Sequence, residues 1–287
     1  RAENKNHKFL GVDVGDINRN GRAEIFVTDH LGNDLSSFVL EVRPGKKRLQ
    51  KIWGDVNLYF RIIHPFGTRP TLLAQAPGYN DPFHGPITKM IYRKGRYLPG
   101  KKLRTPSVHG VEFILYGLTL ADINGDGKDE VVMLDKDTHL RVYNTKGRVL
   151  VQSSEYYGRD PRFIEVGVRE DVEGVAQEGE PVQYRGRLSF VRQRSSRYLL
   201  LPRIESAGGS LLPGLMVDPN SSVTFLNLTR EGFEKSFEVK KQKGYISGHA
   251  VMKAQKSSPT RLYMAIVDEK GGLRGKIVST IYTYFWK

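Results

Sequence analysis

Residues Leu120–Leu134 read LADINGDGKDEVVML and pack Asp122, Asn124, Asp126, Asp129 and Glu130 between two apolar runs. Asp122, Asn124 and Asp126 stand at positions 1, 3 and 5 of a loop. Gly127 permits a sharp turn, the Lys128 carbonyl falls at position 7 and Glu130 closes the loop at position 9. Alternating oxygen donors around a glycine turn suit a hard cation such as Ca²⁺. An EF-hand would need a bidentate Glu at position 12, where this loop has Met133, and helices on both sides, where this chain has strand-like segments. The loop is therefore of another kind. A plainer reading of the same residues is a tight hairpin whose Asp and Asn side chains make Asx-turns and hold no metal.

The pattern recurs along the chain. GVDVGDINRNGRAEIFVTD (Gly11–Asp29) aligns without a gap on GLTLADINGDGKDEVVMLD (Gly117–Asp135) at an offset of 106, and seven of the nineteen positions are identical. The identities include Asp16/Asp122, Asn18/Asn124, Gly21/Gly127 and Glu24/Glu130. A third segment, GHAVMKAQKSSPTRLYM (Gly248–Met264), aligns at an offset of 131 and puts Lys253, Ser257, Ser258 and Arg261 where Asp122, Asp126, Gly127 and Glu130 stand. That loop is expected to be structurally equivalent but metal-free, with cations in place of the acids. The segment IIHPFGTRPTLLA at 62–74 falls where an intervening unit's loop belongs and carries no acid.

The elements that must position these loops are short strands. FVLEVRPGKKRLQKI, KMIYRKGRYLPG, LRVYNTKGRVLVQ and FLNLTREGFEKSFEV each place a β-rich strand, a glycine-bearing turn and a second strand in order, with glycines at 45, 95, 147 and 232. A fifth hairpin is expected around Gly271. Spacings of 50 and 52 between the first three glycines make the offset of 106 span two units. The gap of 85 before Gly232 implies one irregular unit, in which the acidic stretch 165–180 reads as a loop. Helical periodicity is almost absent. Units of about 50 residues with about four strands are what β-propeller blades require, and radial packing hides the sheet edges that a flat array would leave open. The expected fold is all-β: one propeller domain of about five four-stranded blades, at roughly 8–56, 57–107, 108–156, 157–243 with an irregular insertion, and 244–287. A larger, seven-bladed ring that includes these blades is the alternative.

The totals narrow the functional classes. Lys and Arg number 45 against 31 Asp and Glu, a formal net charge of +14. Such an excess suits an acidic partner surface, and the plainer reading of short, dispersed basic clusters is a solvated surface. The basic residues are dispersed in short clusters such as KKR at 46–48 and RQRSSR at 192–197, so nucleic acid is not the expected partner. The chain has no cysteine, which excludes disulfides, thiolate metal sites and cysteine nucleophiles. No apolar run has the length of a transmembrane helix. The chain begins RAENKNHKF, without Met or a signal peptide, and is expected to be a processed chain or a fragment. The seven histidines are scattered, and no nucleophile elbow, phosphate loop or zinc-protease motif is present. Asp81 and His84 in YNDPFHG form the one tempting catalytic pair and read as turn formers; Trp53 and Trp286 read as strand packing.

Strand, D-x-N-x-D-G-x-x-E loop, strand, recurring at blade spacing, resembles the FG-GAP/VCBS repeat family, which includes the propeller heads of integrin α-subunits. GRAEIFVTD, LSSFVLE and the Tyr59-Phe60-Arg61 segment are similar to bacterial cell-envelope proteins with such repeats. In that family the loop joins two strands of a blade and cradles Ca²⁺. The resemblance implies one site at Asp122, Asn124, Asp126, the Lys128 carbonyl and Glu130, and another at Asp16, Asn18, Asn20, the Arg22 carbonyl and Glu24. The first offers three carboxylates and the second two, because Asn20 stands where Asp126 does, so tighter binding is expected at 122–130. The resemblance also implies an exported protein, periplasmic, outer-membrane-associated or extracellular. The expected role is a non-enzymatic interaction or assembly scaffold with a protein partner, and with an acidic glycan or lipid surface as a further candidate. The alternative is a hydrolase or lyase acting on an anionic polymer, with its carboxylates gathered at the propeller axis.

Overall fold

The computed structural model describes residues 7–31, 34–45, 48–64, 69–78, 82–83, 85–103, 105, 113–157, 163–165, 169–170, 176–177, 181–193, 195–206, 219–229, 232–252, 259–270 and 276–286. Every regular element among them is a β-strand. Blade 1 consists of β1 (His7–Gly15), β2 (Glu24–Leu31), β4 (Ser37–Val42) and β5 (Leu49–Val56), with the short β3 (Asp34–Leu35) beside β2. Blade 2 is β6 (Tyr59–Ile63), β7 (Thr71–Gln75), β8 (Thr88–Arg93) and β9 (Arg96–Lys102). Blade 3 is β10 (Leu118–Ala121), β11 (Glu130–Leu134), β12 (His139–Tyr143) and β13 (Val149–Tyr156).

The irregular unit carries an arm ahead of its blade: β14 (Phe163–Glu165) pairs with β17 (Pro181–Gln183), and β15 (Arg169–Glu170) pairs with β16 (Ala176–Gln177). The stretch expected to be a plain loop is thus partly a ladder, because alternate residues can share backbone hydrogen bonds despite the acidic composition. Blade 4 follows with β18 (Ser189–Gln193), β19 (Ser196–Glu205), β20 (Asn220–Leu228) and β21 (Phe233–Glu238), and the short β22 (Gln242–Lys243) beside β20. Blade 5 has three strands, β23 (Tyr245–Met252), β24 (Thr260–Lys270) and β25 (Lys276–Trp286). The five antiparallel sheets are arranged as a five-bladed β-propeller.

Local chemistry explains the hairpins. Lys94 and Gly95 join β8 to β9 with φ of 51° and 78°, the two left-handed residues of a type I′ turn, whose twist matches that of the flanking strands. Along the strands, alternate residues face opposite neighbours. On β7, Leu72 and Ala74 enter the core shared with blade 1, while Leu73 enters the core shared with blade 3. On β11, Val131 and Met133 face blade 2, and Val132 and Leu134 face blade 4. Strands buried on both faces therefore read as unbroken apolar runs rather than as alternating ones.

Four apolar cores join blade 1 to 2, 2 to 3, 3 to 4 and 4 to 5; among the described residues none joins blade 5 to blade 1. On β24 the side chains of Leu262, Met264 and Ile266 fill the core with blade 4. The opposite face of that hairpin exposes Ile281 at 71% and Phe285 at 67%. Blade 1 does the same in mirror fashion. Phe26 and Val39 pack on blade 2, whereas Val12 and Val14, on the other face of β1, are 51% and 53% exposed. Both terminal blades thus present apolar sheet faces to solvent.

Polar contacts link the inner strands of different blades. Arg61 donates through Nη2 to the Leu188 carbonyl at 2.7 Å, Tyr116 donates to Thr28 Oγ1 at 2.9 Å, and Tyr184 donates to the Leu10 carbonyl at 3.0 Å. Asp13 is ion-paired with Arg187. His249 lies buried nearby, and neither of its ring nitrogens has a hydrogen-bond partner among the described residues. Burial, and then the positive charges of Arg187 and Arg61, push its imidazolium down to about 3. His249 is therefore neutral in the fold and takes up a proton more readily once unfolded, so stability falls as pH drops from about 6.5 towards about 3. Thermal melts between pH 7 and pH 4 should show a shallower loss for His249→Gln than for the natural chain. Equal slopes would place the acid sensitivity elsewhere.

Candidate metal loops

Both oxygen-rich loops join the first and second strands of a blade: residues 16–23 link β1 to β2, and 122–129 link β10 to β11. In the latter, Asp122 accepts from the Gly125 amide through Oδ1 at 2.7 Å and from the Gly127 amide through Oδ2 at 3.0 Å. Asn124 Oδ1 accepts from the Asp126 amide at 2.8 Å, and Asp126 Oδ1 from the Lys128 amide at 2.9 Å. Glu130, 1% exposed, lies beneath the loop and accepts from the Ile123 amide at 2.8 Å and from Asn124 Nδ2 at 3.1 Å.

The earlier loop repeats this pattern. Asp16 accepts from the amides of Asn20 at 3.1 Å and Gly21 at 3.0 Å, Asn18 Oδ1 from the Asn20 amide at 2.9 Å, and Asn20 Oδ1 from the Arg22 amide at 2.8 Å. Glu24 is buried and accepts from the amides of Ile17 at 2.7 Å and Asn18 at 3.2 Å. Burial pushes the Glu24 carboxyl above the ordinary glutamate range, and the two amide bonds offset only part of that shift. The backbones correspond as well: Gly125 and Gly127 both have φ of 80°, and Arg19 and Gly21 have φ of 62° and 80°.

These side chains therefore fold the loops before any ion is considered. Each is a run of Asx-turns over a buried glutamate that caps the first amides. Among the described residues no three acidic or imidazole side chains converge on one point. The donor chemistry nevertheless fits a hard cation. The oxygens of Asp122, Asn124 and Asp126 each accept one amide and keep further lone pairs, and the loop is partly exposed. Two ammonium groups compete nearby: Lys128 Nζ lies 3.8 Å from Asp126, and Lys89 Nζ lies 3.7 Å from Asp129.

Other residues singled out from sequence fall as follows. The 248–264 segment does form a first-to-second-strand hairpin, β23 to β24, but Lys253, Ser257 and Ser258 lie outside the described residues. Arg261 lies over the Phe285 ring, 5.6 Å from its centroid. Asp81, His84 and Gly271 lie outside the described residues, as does the Trp286 side chain. Trp53 packs against Phe60 and Tyr97 at 5.8 and 5.3 Å.

The sequence reading missed Glu41. It sits on β4 directly opposite Glu24 in the ladder and is 2% exposed. Its carboxylate accepts from Asn20 Nδ2 at 2.5 Å, from Arg43 Nε at 2.6 Å and from Asn18 Nδ2 at 3.5 Å. The usable signal was an acid on the third strand in register with the residue that closes the loop. The corresponding place in blade 3 is Asn144, one step beyond the Val131–Tyr143 pair.

Fold and loops together define a class: a β-propeller with oxygen-rich turns between the inner strands of alternate blades. Set against known proteins, the chain matches no family model and no curated protein.

The shared loop backbone is testable by paired substitutions. Arg19→Gly should leave stability unchanged or raise it by up to about 1 kcal/mol, because relief of the left-handed strain outweighs the added chain entropy. Gly125→Ala should lower it by about 1 kcal/mol for the same reason reversed. Urea unfolding should show a loss for Gly125→Ala and none for Arg19→Gly; a loss in both would show that the loops are not equivalent.

Proposed function

We propose that the chain is a non-enzymatic, calcium-binding β-propeller that serves as a protein-interaction or assembly scaffold of an exported, cell-envelope protein of the FG-GAP/VCBS type. The observation that carries the scaffold reading is the pair of uncovered apolar faces on blades 1 and 5. Among the described residues the inner strands of blades 2, 3 and 4 are buried on both sides, while apolar exposure there falls on outer strands at residues such as Ile91 and Leu150; large exposed apolar patches mark interaction sites. The net charge of +14 favours a partner with an acidic surface. Among the described residues no helix is long and apolar enough to cross a membrane. A hydrolase or lyase site at the axis would need accessible carboxylates, and the burial of Asp13, Arg61 and His249 weighs against it.

Calcium belongs to the 122–130 loop in this reading. Asp122, Asn124, Asp126 and the Lys128 carbonyl would hold the ion, and Glu130 would keep the loop's first amides in place. The ion would add positive charge among clustered carboxylates and stiffen the turn. Titration calorimetry should detect calcium binding that Asp122→Asn weakens at least tenfold, together with a calcium-dependent rise in melting temperature. Absence of both heat and shift would remove calcium from the proposal.

The scaffold reading has a separate test. Ile277→Lys combined with Ile281→Lys changes side chains that are already exposed, so stability should move by no more than about 0.5 kcal/mol. Partner-dependent retention of the native protein should be lost. A core-like loss of 2 kcal/mol or more would show that these faces are covered within the chain, and the reading would fail.

A further inference from the structure

A cleft of about 400 Å³ opens beside the 16–24 loop, between the outer parts of blades 1 and 2. Its lining includes three cations, Arg22, Arg43 and Lys51, contributed by the loop, β4's end and β5. Their side chains are 48%, 42% and 48% exposed, so their hydrogen-bond donors reach solvent. Lys51 is paired at 2.9 Å with Asp55, which is itself well exposed, and such a surface pair exchanges readily. Glu41 is the one acid in the lining, and it is buried with its oxygens engaged by Asn18, Asn20 and Arg43. Arg22 and Arg43 both pair with Glu41, at 3.7 and 2.6 Å, and Lys51 pairs with Asp55 at the cleft's edge, so three cations against two carboxylates leave an excess of one positive charge.

Glu41 also decides how the loop faces the cleft. A carboxylate only accepts, so Asn18 and Asn20 must turn their amide nitrogens towards it. Their Oδ1 atoms are then directed to the amides of Asn20 and Arg22, inside the loop's own backbone. The position held by Asp126 in the other loop is neutral here, and a divalent cation would meet Arg22 and Arg43 at close range.

The remaining lining supplies shape. Tyr92 is 40% exposed and its ring is held against Tyr97 at 5.1 Å, which leaves a fixed aromatic face at the cleft. Gln50 adds an amide. An aromatic face, amides and arginines in a shallow polar cleft match a sugar ring that carries an acid group. The ring's C–H face lies on the tyrosine, its hydroxyls meet amides, and its carboxylate is taken bidentately by a guanidinium. A volume near the lower end of ligand sites, roughly 300–1,000 Å³, suits one or two sugar rings. A nucleic-acid strand would instead need a continuous basic groove with successive stacking aromatics.

We propose that this cleft is a binding subsite for an anionic saccharide of the uronic-acid class, and that the 16–24 loop forms its cationic wall rather than a second calcium site. The proposal gives the acidic partner of the scaffold reading a place and a chemistry. It rests on that reading only for the partner's sign, and both calcium binding at 122–130 and assembly through blades 1 and 5 can fail without touching it.

The test is titration of the chain with oligogalacturonate at low salt in the presence of a calcium chelator, with a neutral glucose oligomer of equal length and a single-stranded oligonucleotide as comparators. Oligogalacturonate should bind, the neutral oligomer should not, and Arg22→Gln, Lys51→Gln and Tyr92→Leu should each weaken binding about fivefold or more without altering the melting temperature. Lys136→Gln, a change of the same charge on an exposed residue away from the cleft, should have no effect. Absence of binding would overturn the subsite, as would equal sensitivity to Lys136→Gln, since that is non-specific attraction. Tighter, cleft-dependent binding of the oligonucleotide would replace the saccharide with a nucleic acid. In a separate calcium titration Asp16→Asn should change nothing; a lost or weakened site would return a cation to this loop and overturn its assignment as the cleft wall.

Discussion

Each blade of this propeller is apolar on both faces, and that constraint governs the rest of the molecule. A sheet such as β6-β7-β8-β9 cannot bury Leu72 and Leu73 at once unless other sheets lie on either side of it. Burial of such side chains contributes roughly 1.5–3 kcal/mol each, so the stack of sheets is where most of the folding free energy resides. The first and last sheets inherit the same two-faced design. Their outward faces at Val12, Val14, Ile281 and Phe285 are the places where the constraint is unmet within the chain. A blade face left open is chemically the same kind of surface as a blade face already packed, and the proposed assembly role would use it.

The inner-strand turns solve a second problem. Each must reverse the chain sharply next to a buried core, where backbone amides without partners are costly. Asp16 and Asp122 each accept two amides, and Glu24 and Glu130 cap the opening of each turn from below. The acids clustered in DINGDGKDE thus have a structural task even before calcium is considered, and the same oxygens leave lone pairs pointing to solvent. The structural turn is what the geometry shows, and the proposed ion site would reuse the same oxygens.

Surroundings then separate the two copies. Blade 1 places Glu41, Arg22 and Arg43 around its loop, whereas blade 3 has Asn144 at the place of Glu41 and Asp126 at that of Asn20. Under the proposed readings, one loop would favour a cation and the other an anion, through position 5 of the motif (Asn20 against Asp126) together with Glu41 and Arg43 outside it. The two backbones stay alike while their charged surroundings differ.

The sequence by itself determined the strands, their hairpins and the repeat, because turn residues and apolar runs act over a few residues. Glycines at 45, 95, 147 and 232 do fall in the turns before the outer strands of blades 1 to 4. The loop residues Asp122, Asn124, Asp126 and Glu130 were legible for the same reason, since their partners lie within the loop itself. Only the tertiary structure decided what lies across strands and between sheets. The meeting of Glu24 with Glu41, the approach of Arg61 to Leu188 and His249 at the axis, the open faces of blades 1 and 5, and the cleft under Tyr92 depend on register and sheet packing. Those contacts join residues far apart in the chain, and a local pattern of residue types carries no record of them.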